Sequence, residues 1–223
     1  MSRLRAAAGG MAVLLLSACA VTPPSYDYAA FRQSRPQSIL VLPPVNNSTA
    51  VEASHSLMAW ATQPLAESGY YVLPVTLVDE TFRQNGLGSP AEIADVPVHK
   101  LREIFGADAA LYIQISQYGT FYRVIQSETV VSAEARLVDL RSGALLWSGR
   151  ASASSAEQRG GSQGGPLGML VEALVYQVLE NISDTGHDIA GMTSTRLLRA
   201  GRPAGMLYGP RSPKYQQDGI PAP

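Results

Sequence analysis

The stretch from Ala109 to Ala153 sets the architecture. In Ala109–Gln117, Leu111, Ile113 and Ile115 alternate with Tyr112, Gln114 and Ser116. Further on, Val131, Ala133, Ala135 and Leu137 alternate with Ser132, Glu134 and Arg136. A period of two sends successive side chains to opposite faces of a strand. One face of such strands meets a core and the other meets water, which is the pattern of antiparallel pairing. The turn Asp139–Gly143 then predicts a hairpin whose second arm is Leu145–Ala153.

Upstream the pattern changes. Ile39-Leu40-Val41-Leu42 is a continuous apolar run stopped by Pro43-Pro44, which predicts a buried central strand. Asn46–Thr49 offer capping side chains for a helix carrying Val51, Ser54, Met58, Ala61 and Leu65. Pro64 is expected to kink or interrupt that helix, and Ser68-Gly69 to end it. A second strand over Tyr70–Val75, a helix over Thr76–Asn85 and a loop over Gly86–Pro90 follow. Asp95 and Pro97 suit the start of a helix bearing Val98, Leu101, Ile104 and Phe105 and stopping at Gly106. Beyond the hairpin, Ser154–Gly165 reads as a Gly/Ser-rich loop. Leu167, Leu170, Leu174, Val178 and Ile182 mark an amphipathic helix that packs on a sheet. The expected fold is α/β (α+β): a mixed sheet of about five strands with helices mainly on one face.

The two ends of the chain say where it works. Arg3 and Arg5 precede a short apolar run from Met11 to Leu16, the form of a secretory signal rather than a membrane span. Leu16-Ser17-Ala18-Cys19 resembles the lipobox of bacterial lipoproteins, and Cys19 is the single cysteine of the 223 residues. The lipobox implies lipidation of Cys19 after removal of residues 1–18. Several acyl chains, at about 0.8 kcal/mol per buried methylene, anchor a protein durably. Ala20, where Asp favours inner-membrane retention, points to the periplasmic face of the outer membrane. The expected layout is a signal peptide over 1–18, a lipidated cysteine and tether over 19–37, an α/β domain over 38–190, and a Gly/Pro-rich tail over 191–223. Tyr26, Tyr28 and Phe31 leave open whether the tether docks on the domain. With about sixteen extended residues it reaches some 50 Å. A net charge of -1 gives no electrostatic footprint for nucleic acid.

Gly106–Ile113 followed by the hairpin around Val138–Gly143 is similar to the periplasmic domain of CsgG-type lipoproteins. The order of elements resembles the N-terminal domain of TolB and the lipoprotein LpoB, an activator of peptidoglycan synthases. Met206-Leu207-Tyr208-Gly209-Pro210, with Pro213-Lys214-Tyr215 and Asp218, resembles the C-terminal signature of a family of bacterial outer-membrane lipoproteins of the meningococcal genome-derived antigen type. With the lipobox and Leu42-Pro43-Pro44, that resemblance spans nearly the whole mature chain. It implies a TolB-like domain in envelope transport or assembly, acting beside a CsgG-like partner lipoprotein, and it carries no catalytic residues. Pore formation is not implied, since no segment reads as membrane strands.

A search for chemistry is mostly negative. Gly160-Gly161-Ser162-Gln163-Gly164 matches G-x-S-x-G, with Asp184 and His187 downstream in hydrolase order. A long loop makes a poor nucleophile elbow, however, and a triad gathers its members from separate elements. His55, His99 and His187 show no ligand spacing, so neither a metal nor a cofactor is expected. The chain is expected to be non-enzymatic and to bind a partner through a sheet edge or its tail. Leu207, Tyr208, Gly209, Pro210, Pro213 and Tyr215 are the candidate contacts. The alternatives are an LpoB-like regulator of a peptidoglycan synthase and, behind it, a serine hydrolase.

Overall fold

The computed structural model describes residues 26–122, 127–159 and 185–218. Its order is α1 (Ala29–Ser34), β1 (Ser38–Val41), β2 (Val45–Asn46), α2 (Ala53–Glu67), β3 (Tyr71–Val72), α3 (Val75–Gln84), α4 (Pro90–Ala94) and α5 (Val98–Phe105). There follow β4 (Ala109–Tyr122), β5 (Ser127–Asp139), β6 (Leu145–Ser154), α6 (Ser155–Arg159) and α7 (Thr185–Leu198).

The strands form one mixed six-stranded sheet in the order β3-β1-β4-β5-β6, with β2 pairing β4 off that path. β1 runs parallel to β3 and β4, whereas β4, β5 and β6 are antiparallel. The mixed sheet is therefore as expected, with one more short strand. Ile39, Leu40 and Val41 are each 0 % exposed, as a central strand covered on both faces requires.

The crossovers between parallel strands divide the helices between the faces. Helix α2 connects β1 to β3. It pairs with α7, which lies on β5 and β6, and together they cover the face of Leu111, Ile113, Ile115, Ala133, Ala135 and Leu137. Helices α3–α5 return from β3 to β4 across the other face. There α3 meets β1 and α4 meets β2, so that face is covered at one end and left open over β4–β6.

The docking that Tyr26, Tyr28 and Phe31 left open for the segment 19–37 is present: that segment contains α1, which packs against β6 with Tyr28 and Phe31 buried. Apolar side chains at both positions make docking favourable. Several expectations are corrected. The domain limit at 190 falls inside α7, whose Ile189, Ala190, Leu197 and Leu198 belong to the core. Helix α2 ends at Glu67, beside Ser68-Gly69 as expected, but Pro64 does not interrupt it; the Ser68 hydroxyl and amide both donate to the Pro64 carbonyl, at 2.6 and 3.1 Å. It begins at Ala53, after the Asn46 side chain has closed its own turn onto the Ser48 and Ala50 backbone, which leaves Val51 88 % exposed. The strand expected over Tyr70–Val75 is two residues long, because Pro74 starts α3. The loop over Gly86–Pro90 leads into α4, with Pro90 in its first turn. Within Ser154–Gly165, Ser155–Arg159 is helical; the remainder of that loop, and the helix expected over Leu167–Ile182, lie outside the described residues.

Candidate functional site

A groove of about 630 Å³ lies on the open sheet face. Strand register builds it. Tyr112 faces Arg136, which faces Ser148; Gln114 faces Glu134, which faces Arg150. Two rows of polar side chains thus cross three strands on one face. Leu42, Pro43, Val45 and Ala94 form an apolar wall along its side. The break at Pro43-Pro44 separates β1 from β2 and places that wall beside β4.

Within the groove the Arg136 guanidinium lies 4.4 Å from the centre of the Tyr112 ring, a cation–π contact. Burial pushes the Tyr112 phenol above its ordinary range, and the Arg136 charge offsets part of that. Glu134 and Arg150 sit opposite each other yet make no ion pair within the described residues, and both are exposed. A sheet face carrying two guanidinium groups, a carboxylate and a phenol beside an apolar wall suits non-covalent recognition of a partner surface of mixed character. The alternation of Tyr112 and Gln114, and of Glu134 and Arg136, announced a wet face. Only the register could show that Arg150 and Ser148 join it.

The neighbouring edge is partly covered. The Ser148 amide of edge strand β6 donates to the Tyr26 hydroxyl at 2.9 Å, and α1 packs alongside. Ser34 donates to the Asp139 carboxylate at the hairpin turn, which also accepts the Arg141 and Ser142 amides at 2.8 and 2.7 Å. Burial raises the Asp139 carboxyl, and these hydrogen bonds outweigh it and hold the group below its usual range. Around Ser148, therefore, the β6 edge meets this chain's own arm.

The tail that carries the candidate contacts packs on the domain. Leu207 and Gly209 are buried within the fold, Tyr208, Pro210 and Tyr215 are half-buried, and Pro213 is exposed. The Gly209 amide donates to the Ser68 carbonyl at 2.8 Å and the Arg211 amide to the Gly69 carbonyl at 3.1 Å. Buried Tyr70 donates to the Leu207 carbonyl at 2.6 Å, and the Trp147 indole donates to the Ala204 carbonyl at 2.9 Å. A segment whose backbone is paired in this way is part of the domain.

Leu16, Ser17, Ala18 and Cys19 lie outside the described residues, as do Ser162 and Asp184. His187 is described. Its Nδ1 is 2.7 Å from the Ser56 hydroxyl, which also accepts from Tyr118 at 3.1 Å, and its ring lies 5.2 Å from that of Trp60. Ser56 is 6 % exposed, so this network joins α2, α7 and β4 in the interior. Among the described residues no group of three or more His, Cys, Asp or Glu is placed to hold a metal ion.

The comparisons with known proteins fit these features. The family model described as "Putative lipoprotein GNA1162-like" matches residues 26–211. The chain is 47% identical over 204 residues to "Putative lipoprotein NMB1124/NMB1162" of Neisseria meningitidis serogroup B, covering 91% of this chain and 94% of that one. The crystal structure of lipoprotein GNA1162 from N. meningitidis is similar at a TM-score of 0.52 and 49% identity, over 65% of this chain and 99% of that one. A PelC dodecamer from Paraburkholderia phytofirmans matches at a TM-score of 0.44 and 15% identity, over 73% of this chain and 86% of that one.

Proposed function

This chain belongs to the GNA1162-like family of lipoproteins, and on that premise we propose that it is a non-catalytic accessory of envelope transport or assembly. It is held by lipid on Cys19 at the periplasmic face of the outer membrane. Its partner is a second envelope protein, a CsgG-like lipoprotein. The observation that carries this reading is the open sheet face. Arg136, Arg150 and Glu134 line a concave surface beside an apolar wall, while the tail backbone is hydrogen-bonded to the domain and the arm meets the β6 edge at Ser148.

Charge reversal on a wet sheet face leaves the core untouched, so it separates binding from folding. The test is affinity recovery of the full-length lipoprotein from detergent-solubilised envelope, beside Arg136→Glu/Arg150→Glu and Cys19→Ser forms. A second envelope lipoprotein recovered with the parent and lost from the charge-reversed form, while that form still unfolds in one cooperative transition, is the expected result. Recovery of a peptidoglycan synthase instead moves the protein to the regulator class. Equal recovery by the charge-reversed form removes the groove from the reading.

A further inference from the structure

On a different part of the molecule, between α1 and the C-terminal segment, lies a pocket of about 260 Å³. Phe31 and Tyr70 form a buried floor, and Tyr208 and Tyr215 stand half-buried at its sides. The rim carries polar groups of both kinds. Arg35 uses its Nε on the Arg32 carbonyl at 3.3 Å, which leaves its terminal amino groups as donors. Gln216 offers an amide with donor and acceptor ends, and Tyr215 a hydroxyl; neither side chain makes a hydrogen bond within the described residues. Asp218 accepts the Tyr208 amide with one oxygen, at 2.7 Å, and keeps the other as an acceptor.

The backbone gives an independent indication. Three non-glycine residues of the described chain have positive φ, and two of them, Arg35 at 47° and Gln216 at 62°, line this pocket. Glycine is the unstrained residue in that region, and Arg35 closes α1 at the position where glycine is usual. At both places the chain carries a long polar side chain directed by a strained backbone, an arrangement found where side chains serve a ligand.

The mixture of groups selects the ligand class. Arg32 also lines the pocket beside Arg35, but an anion there would still meet the Asp218 carboxylate and leave its acceptor oxygen and the Gln216 amide oxygen without donors. A cation would meet the Arg35 charge. A lipid chain would leave the polar rim unpaired. A pyranose ring meets each demand: its C–H face packs on aromatic faces, and its neighbouring hydroxyls, each both donor and acceptor, bridge Arg35, Gln216 and Asp218. We propose that this pocket binds one pyranose residue of a glycan. The site does not rest on the sheet-face groove and stands or falls separately from it.

The test is calorimetric titration of the full-length lipoprotein in a detergent without a sugar headgroup. The probes are N,N′,N″-triacetylchitotriose, cellotriose and a proline-rich peptide. Arg35→Gly/Gln216→Gly removes both polar side chains and relaxes both strained residues. Tyr215→Leu keeps apolar volume and removes the ring and its hydroxyl. Saturable binding of at least one trisaccharide is expected, weakened about tenfold or more in both variants. The melting temperature of the double-glycine form should equal or exceed that of the parent. Preference for the acetylated sugar assigns the site to amino-sugar strands, and preference for cellotriose to neutral glucans. No sugar binding up to about 10 mM, undiminished binding by the variants, or saturable binding of the peptide in place of sugar overturns the proposal.

Discussion

Gly209 lies against Gly69 so closely that a Cβ built on Gly209 would stand 2.5 Å from the Gly69 carbonyl oxygen. Gly69 itself has φ of +96°, and a Cβ there would meet Ser212. Two glycines thus let the returning tail reach the end of α2. Gly209→Ala forces the two backbones apart, and the expected cost is about 1–3 kcal/mol, as for other over-packed sites. Urea denaturation of the variant beside the parent measures it.

The Tyr70 hydroxyl and the buried side chains of Met206 and Leu207 bind the same tail segment to the domain. Tyr70→Phe leaves the Leu207 carbonyl without its donor and is expected to lower stability by about 1–2 kcal/mol. Deleting residues 205–223 removes the apolar contacts as well, so the melting temperature should fall by more than in the point variant. A thermal melt that does not change on deletion would contradict the tail's place in the fold.

Asp139 titrates below its ordinary range in the folded chain, because hydrogen bonds from Ser34, Ser142 and Arg141 outweigh burial. A depressed carboxyl contributes stability that is complete above its unfolded value, near 4, and is lost as pH falls through the folded value. Asp139→Asn should therefore cost about 1–3 kcal/mol at pH 7. It should also flatten the acid side of the stability curve, read by urea titration between roughly pH 2 and pH 7.

Lipid at Cys19, proposed from the lipobox, predicts partition of the full-length protein into the detergent-rich phase of a cloud-point separation. Cys19→Ser should move it to the aqueous phase. The folded body keeps its melting temperature in that variant, because Cys19 precedes the described domain.

Period-two alternation made the hairpin strands legible, since the pattern is a direct image of the pleat. It failed where the pleat is interrupted. A register shift between Ile115 and Gln117 lets β4 run on to Tyr122, with Tyr118 buried on the core side, whereas strict alternation ends the strand at Gln117. A second shift between Leu137 and Val138 brings adjacent Leu146 and Trp147 both into the interior. Helix α4, five residues long, is too short to display a period, and its Pro90 reads as a breaker although the first turn accepts it. The Gly/Pro-rich tail looked loose for a related reason. Its order comes from backbone hydrogen bonds to Ser68 and Gly69 far away in sequence, and composition does not record those. The polar rows of the groove were visible strand by strand. The convergence of Arg35 and Gln216 in one pocket depends on contacts between the two ends of the chain and left no local pattern.

The docking of α1 also fixes a length. The described domain starts at Tyr26, seven residues beyond Cys19, so the lipid proposed at Cys19 would lie within about 25 Å of contour from the body. That is half the reach of a tether extending to Ser38. With that lipid in place, a domain on so short a leash would remain in a thin layer against the bilayer and would meet its partners by lateral diffusion in two dimensions. Proteins resident in the same leaflet are then favoured over those across the periplasm, and the surface density of the lipoprotein, more than its bulk concentration, governs how often they meet.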